Sequence, residues 1–144
     1  MNILIAIDGP DFSKAAIREV IQTRPREAQV RLLHVIEPLP AMEGWAYAVD
    51  WQKIQQDQRK EAETFVAEDA KALRDAGFTV TSAIEEGIAK SIIVEAASQW
   101  NADLVVVGSH GRKGLARFLM GSVSEGVARH APCSVLIVRK PRSA

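Results

Sequence analysis

One cysteine, Cys133, is all the chain has, so no internal disulfide can form, as suits a reducing compartment. No charge sign is in excess: 18 Lys and Arg balance 18 Asp and Glu, for a formal net charge of zero. That balance supplies none of the basic surface on which nucleic-acid binding leans. No apolar run is long enough to span a bilayer, and Met1-Asn2-Ile3 leads straight into a strand, with no secretory signal. The expectation is a cytoplasmic protein without a transmembrane segment. Internal repeats, linkers and low-complexity tracts are missing too, so residues 1–144 are read as one domain with one substantial core.

Two familiar nucleotide signatures are also missing. A P-loop requires G-x-x-x-x-G-K-[ST], and no Lys-Ser or Lys-Thr follows a glycine in that way. A dinucleotide fingerprint requires G-x-G-x-x-G after the first strand. The turn Asp8-Gly9-Pro10-Asp11 has one glycine, and Gly108, Gly111 and Gly114 are wrongly spaced. Nicotinamide dinucleotides are therefore disfavoured.

Apolar runs alternate with helical patterns. Strands are expected at 3–7, 30–35, 79–84, 104–107 and 135–138, with helices at 13–22, 51–76, 91–100 and 122–130. In the long second helix Ala62, Phe65, Val66, Ala70 and Leu73 recur three or four apart, and Gly77 is a natural stop. Its start, Gln52 to Lys60, is polar apart from Ile54 and should project into solvent. The alternation predicts an α/β protein, a doubly wound, Rossmann-like parallel sheet of five strands with helices on both faces. With strand order 3-2-1-4-5, the winding reverses between strands one and four, and ligands bind beyond the strand ends at such a reversal.

The most informative residues fall at that point. After Asp103-Leu-Val-Val-Val107 comes Gly108-Ser-His-Gly111, then nine residues, then Gly121-Ser122 at the head of a helix. Glycine lets backbone approach a ligand, and the unpaired N–H groups of a helix start suit an anion such as phosphate. His110, Arg112, Lys113 and Arg117 make the loop basic, with no acidic residue between Leu104 and Ser124, and Arg112 and Lys113 would supply countercharge.

These residues resemble the universal stress protein family over essentially the whole chain. The resemblance rests on Ile3-Leu-Ile-Ala-Ile-Asp8-Gly9 with Ser13, Leu33-His34-Val35, Val105-Val-Val-Gly108-Ser-His-Gly111, Gly121-Ser-Val-Ser124 and His130-Ala-Pro-Cys133-Ser-Val-Leu-Ile-Val138. The pattern G-x2-G-x9-G-[ST] marks ATP-binding members, so the resemblance implies that subclass, with ATP, AMP or ADP as the ligand. It implies that Ala6, Ile7 and Asp8 border the adenosine, Asp8 near the ribose, and that Val35 meets adenine. Val107, Gly108 and Gly111 would line ribose and phosphates, and Gly121, Ser122, Val123 and Ser124 would hold the phosphate tail. Pro10 departs from the serine that many members carry after Asp-Gly.

Simpler readings compete. Asp8 could merely cap the first helix, and Ser122-Val-Ser-Glu125 fits a capping box with Ser122 as N-cap and Glu125 at N3. His34 reads as a satisfied structural histidine and Cys133 as a small core residue; Trp45, Tyr47 and Trp51 could close over a ligand, face a partner or, by default, pack against the long helix.

No catalytic residue and no protein metal site are expected. The loop has no carboxylate, only Asp8 and Asp11 lie near, and Mg²⁺ would be held mainly by the phosphates. The function expected is an ATP-responsive regulatory module in the stress response, with little or no turnover. One alternative is a slow ATPase or autophosphorylating protein, with Ser109, Ser122 or Ser124 as acceptor. Another is a nucleotide-independent interaction protein with an unknown protein partner. The apolar last strand, Val135–Val138, would lie at a sheet edge and pair with its twin in a homodimer, as family members similarly do.

Overall fold

The computed structural model describes residues 1–38, 50–109 and 121–139. Five strands, β1 (Asn2–Ile7), β2 (Gln29–Ile36), β3 (Thr79–Glu86), β4 (Leu104–Gly108) and β5 (Ser134–Val138), form one sheet in the order β3-β2-β1-β4-β5. All four pairings are parallel, as the sequence predicts. Four helices, α1 (Pro10–Thr23), α2 (Trp51–Asp75), α3 (Ala89–Gln99) and α4 (Ser122–His130), connect them.

The sheet is covered on both faces, which is why its central strands are continuously apolar rather than alternating. Ile3, Ile5 and Ile7 of β1 join Val30, Leu32 and Val106 under α1 and α2. Leu4, Leu33, Val105 and Val107 point the other way, under α3 and α4. Every other residue thus serves a different layer, and β1, at the centre, has Ile3, Leu4 and Ile5 wholly enclosed. The polar start of α2 lies mostly exposed, as its sequence requires, and Trp51 is half-buried.

Helix ends follow local chemistry. Gly77, at φ 104, closes α2: its N–H reaches Arg74 O at 2.9 Å, and Phe78 N–H reaches Leu73 O at 3.1 Å. Asn101, at φ 54, does the same for α3, with Ala102 N–H on Ala97 O at 2.9 Å. Helix α1 begins at Pro10, earlier than the Ser13 expected from its apolar spacing, because proline is well suited to a first turn whose N–H would be unpaired anyway. The aromatics Trp45 and Tyr47 lie outside the described residues. Among those residues, no helix is long and apolar enough to cross a membrane.

Candidate functional site

Strands β1 and β4 are neighbours, with Ala6 opposite Val107, and α1 and α4 take the chain away from their carboxyl ends. The winding reverses between them, so their ends form the crevice that the topology predicts. Ala6, Ile7 and Asp8 lie on one side. Val107 and Gly108 lie on the other, with Gly121 brought back beside them. Val35 follows the His34↔Ile7 pair on β2, next to β1. The positions Gly111 and Arg112, together with His110, Lys113 and Arg117, fall outside the described residues.

The return of the chain is fixed by backbone bonds. Gly121 N–H donates to Ser109 O at 2.8 Å, and Ser109 N–H donates to Val138 O at the end of β5 at 2.9 Å. Ser124 Oγ lies 3.0 Å from Gly121 O and 3.3 Å from Ser109 O. Ser109 therefore ties β4, β5 and the head of α4 into one corner.

The N-cap of α4 at that corner is Gly121, and among the described residues no side chain caps it. The capping box read at Ser122 and Glu125 does not form: Ser122 is the first helical residue, and the Glu125 carboxylate instead accepts from Arg129 at 3.0 Å. Helix α1 is alike in its N-cap, which is Gly9 and not Asp8.

Burial decides what each residue can offer. Asp8 and Ser122 are exposed and Val123 is half-buried. Ile7, Val107 and Ser124 are buried, with their side chains turned into the molecule, so Ile7 and Val107 could meet a ligand through backbone alone. His34 is buried: its Nδ1 donates to Ile7 O at 2.7 Å, and its ring stands edge-on to Phe65 at 4.8 Å. The carbonyl can only accept, which assigns the proton to Nδ1. His34 thus holds β1 where it ends beside Asp8. Neither this bond nor that of Ser124 to Ser109 has a signal in sequence spacing.

Other polar groups lie elsewhere. Burial and the nearby Asp103 carboxylate push the Cys133 thiol up, against an activated thiolate. A groove of ≈ 410 Å³ beside β3 is lined by Glu85, Glu86, Glu95 and Gln99 with Ile92 and Ala96; its carboxylates oppose a phosphate. Among the described residues, no group of three or more His, Cys, Asp or Glu is placed to hold a metal ion.

Comparison with known proteins gives consistent results. Residues 1–139 match the universal stress protein family. A universal stress protein of Methanocaldococcus jannaschii is 33% identical over 142 residues, covering 98% of this chain and 83% of that protein. The solved structure of the hypothetical protein MJ0577, the subject of a structure-based assignment of biochemical function, aligns with TM-score 0.85 at 29% identity. That alignment covers 99% of this chain and 97% of the other. A universal stress protein solved in complex with cAMP aligns with TM-score 0.67 at 26% identity, over 96% of each chain.

Proposed function

We propose, from the premise that the chain belongs to the universal stress protein family, that it is an ATP-binding member. In this reading it is a nucleotide-responsive regulatory module with little or no turnover. The observation that carries this is the first turn of α4, held by Ser109 at the strand reversal behind a glycine N-cap, with no side-chain cap among the described residues. Unpaired donors at the positive end of a helix suit the charge and shape of a phosphate. The cAMP complex of a relative supports the adenine nucleotide class.

In this reading Asp8, exposed beside the crevice, meets the ribose, and Val35 borders adenine. The backbone of Gly108 and Gly121 through Ser124 follows the phosphates, and the Ser122 hydroxyl is free to join them. The loop positions Gly111 and Arg112 complete the cradle. Any Mg²⁺ would lean on phosphates and water. Ser109 and Ser124 are 5% and 2% exposed, so of the three candidate phosphate acceptors only Ser122 is open to a donor.

The edge strand β5 presents Val135, Leu136, Ile137 and Val138 half-exposed, and pairing with a second copy would cover them in a cytoplasmic homodimer. A monomer by sedimentation at micromolar concentration would refute that assembly.

The direct test is calorimetric titration of nucleotide-stripped protein with ATP and Mg²⁺ beside Gly121→Val. The expected result is saturable binding near one ATP per chain, lost in the variant. No binding to the unaltered chain would overturn the reading and leave an interaction protein to be studied through its partners.

A further inference from the structure

We infer that Ser124 is a positioning residue: its hydroxyl clasps the two ends of the 110–120 segment and sets the first turn of α4 against the end of β4. The consequence for ligand affinity rests on the nucleotide reading above; the clasp itself does not.

Ser124 is 2% exposed, and its Oγ is within hydrogen-bond distance of Gly121 O at 3.0 Å and Ser109 O at 3.3 Å. A hydroxyl has one proton, so it is shared between carbonyls that belong to opposite ends of the segment. Gly121 N–H meets the same Ser109 O at 2.8 Å, which gives that carbonyl a donor for each lone pair. The corner is anchored, because Ser109 N–H is held by Val138 O of β5 at 2.9 Å. An enclosed hydroxyl engaged on two carbonyls has no proton left for a ligand. Ser122, two residues earlier and exposed, has the opposite disposition.

Loosening this corner would let the head of α4 move relative to β1 and β2. Phosphate contacts would weaken, while contacts to the nucleoside, which come from those strands, would remain. Hydrogen bonds of this kind, when lost, weaken a dependent interaction about five- to tenfold.

The experiment compares Ser124→Ala and Ser124→Cys with Ser122→Ala. The first two nearly keep the buried volume, and a thiol is a weak donor, so both remove the clasp while leaving the site filled. The first readout needs no nucleotide: amide hydrogen exchange at Gly121. We expect exchange about fivefold faster in both Ser124 variants and unchanged in Ser122→Ala. The second readout is calorimetric affinity for ATP and for adenosine, with ATP weakened about five- to tenfold in the Ser124 variants and adenosine unaffected.

Unaltered Gly121 exchange in both Ser124 variants overturns the clasp. If ATP affinity then still falls, the hydroxyl contacts phosphate directly. Acceleration spread evenly over all amides also overturns it, since that reports global stability. Faster Gly121 exchange in a protein that never binds ATP supports the clasp and defeats the nucleotide reading instead.

Discussion

The four helices all start after a strand's carboxyl end, yet they start in two different ways. Helix α2 is capped by Asp50, whose Oδ1 accepts from Lys53 N–H at 3.1 Å. Helix α3 is served by Glu37 at the end of β2, whose Oε1 accepts from Ala89 N–H at 3.1 Å. Helices α1 and α4 begin at Gly9 and Gly121, N-cap residues that have no side chain to offer. The pair with a carboxylate on its first turn follows β2 and β3; the pair with a glycine N-cap follows β1 and β4, the strands between which the winding reverses. A side-chain cap contributes about 1 kcal/mol over alanine and about 0.3 kcal/mol over glycine. On both sides of one crevice the N-cap residue itself forgoes that bond. Donors left open together are what an anion site requires, whereas a helix built only for stability would close them.

The most severe way to break this contrast is to cap α4. Gly121 has φ −63 and ψ 156, a conformation open to any residue and normal for an N-cap. An aspartate there would bond the N–H groups of the first turn and place its carboxylate where a phosphate would sit. Gly121→Asp should therefore be slightly more stable, by about 0.3 kcal/mol or about 1 °C in melting temperature. Its ATP affinity should fall more than about 100-fold, because like charge is added as donors are lost. A stabilised variant that titrated ATP as before would show that the open donors serve nothing.

The converse change acts on a capped helix. Asp50→Ala should cost about 1 kcal/mol, read in urea unfolding, with no change in ATP affinity. Glu37→Ala should cost about 0.5–1 kcal/mol, because one N–H of α3 is left to water. If either variant lost ATP affinity in step with stability, the distinction between the two pairs of helices would dissolve.

Sequence and structure meet unevenly across this contrast. The β-branched runs and their helical spacers were enough for the strand order, because a parallel sheet buried on both faces leaves continuous apolar segments. The bounds of α4, about 122–130, were legible, and so were Gly108 at the end of β4 and Gly121 at the head of α4. How α4 is capped was not. Ser122-x-x-Glu125 has the letters of a capping box, but the box requires Ser122 outside the helix. The bond from Gly121 N–H to Ser109 O makes Gly121 the N-cap and draws Ser122 into the first turn. The Ser124 contact was hidden for a similar reason, since it joins residues on either side of a segment whose path no periodicity encodes. His34 looked structural and is, but that its partner is Ile7 O, one residue before Asp8, follows only from the β1–β2 register.

A bare helix start still needs anchoring, and for α1 the anchor comes from α2. Ser13 is 2% exposed and hydrogen-bonds Asp69, itself 8% exposed. Asp69 Oδ2 has no partner among the described residues. Burial pushes the Asp69 carboxyl above its ordinary value, with Glu68 adding to the rise; the Ser13 hydrogen bond and Lys14 oppose it. The folded state thus holds the proton more tightly than the unfolded one. Stability from this group is present at low pH, falls as pH rises out of the ordinary carboxylate range, and levels off above the folded value. Asp69→Asn keeps an oxygen to accept from Ser13 and carries no charge. Its stability relative to the unaltered chain should improve as pH rises above the ordinary carboxylate range and then level off, followed by urea midpoints at each pH. A difference that stayed flat would mean the carboxylate is ionised in the folded state at little cost. ATP affinity should be the same in both proteins at any one pH, since the anchor lies on the core side of α1 and away from its crevice end.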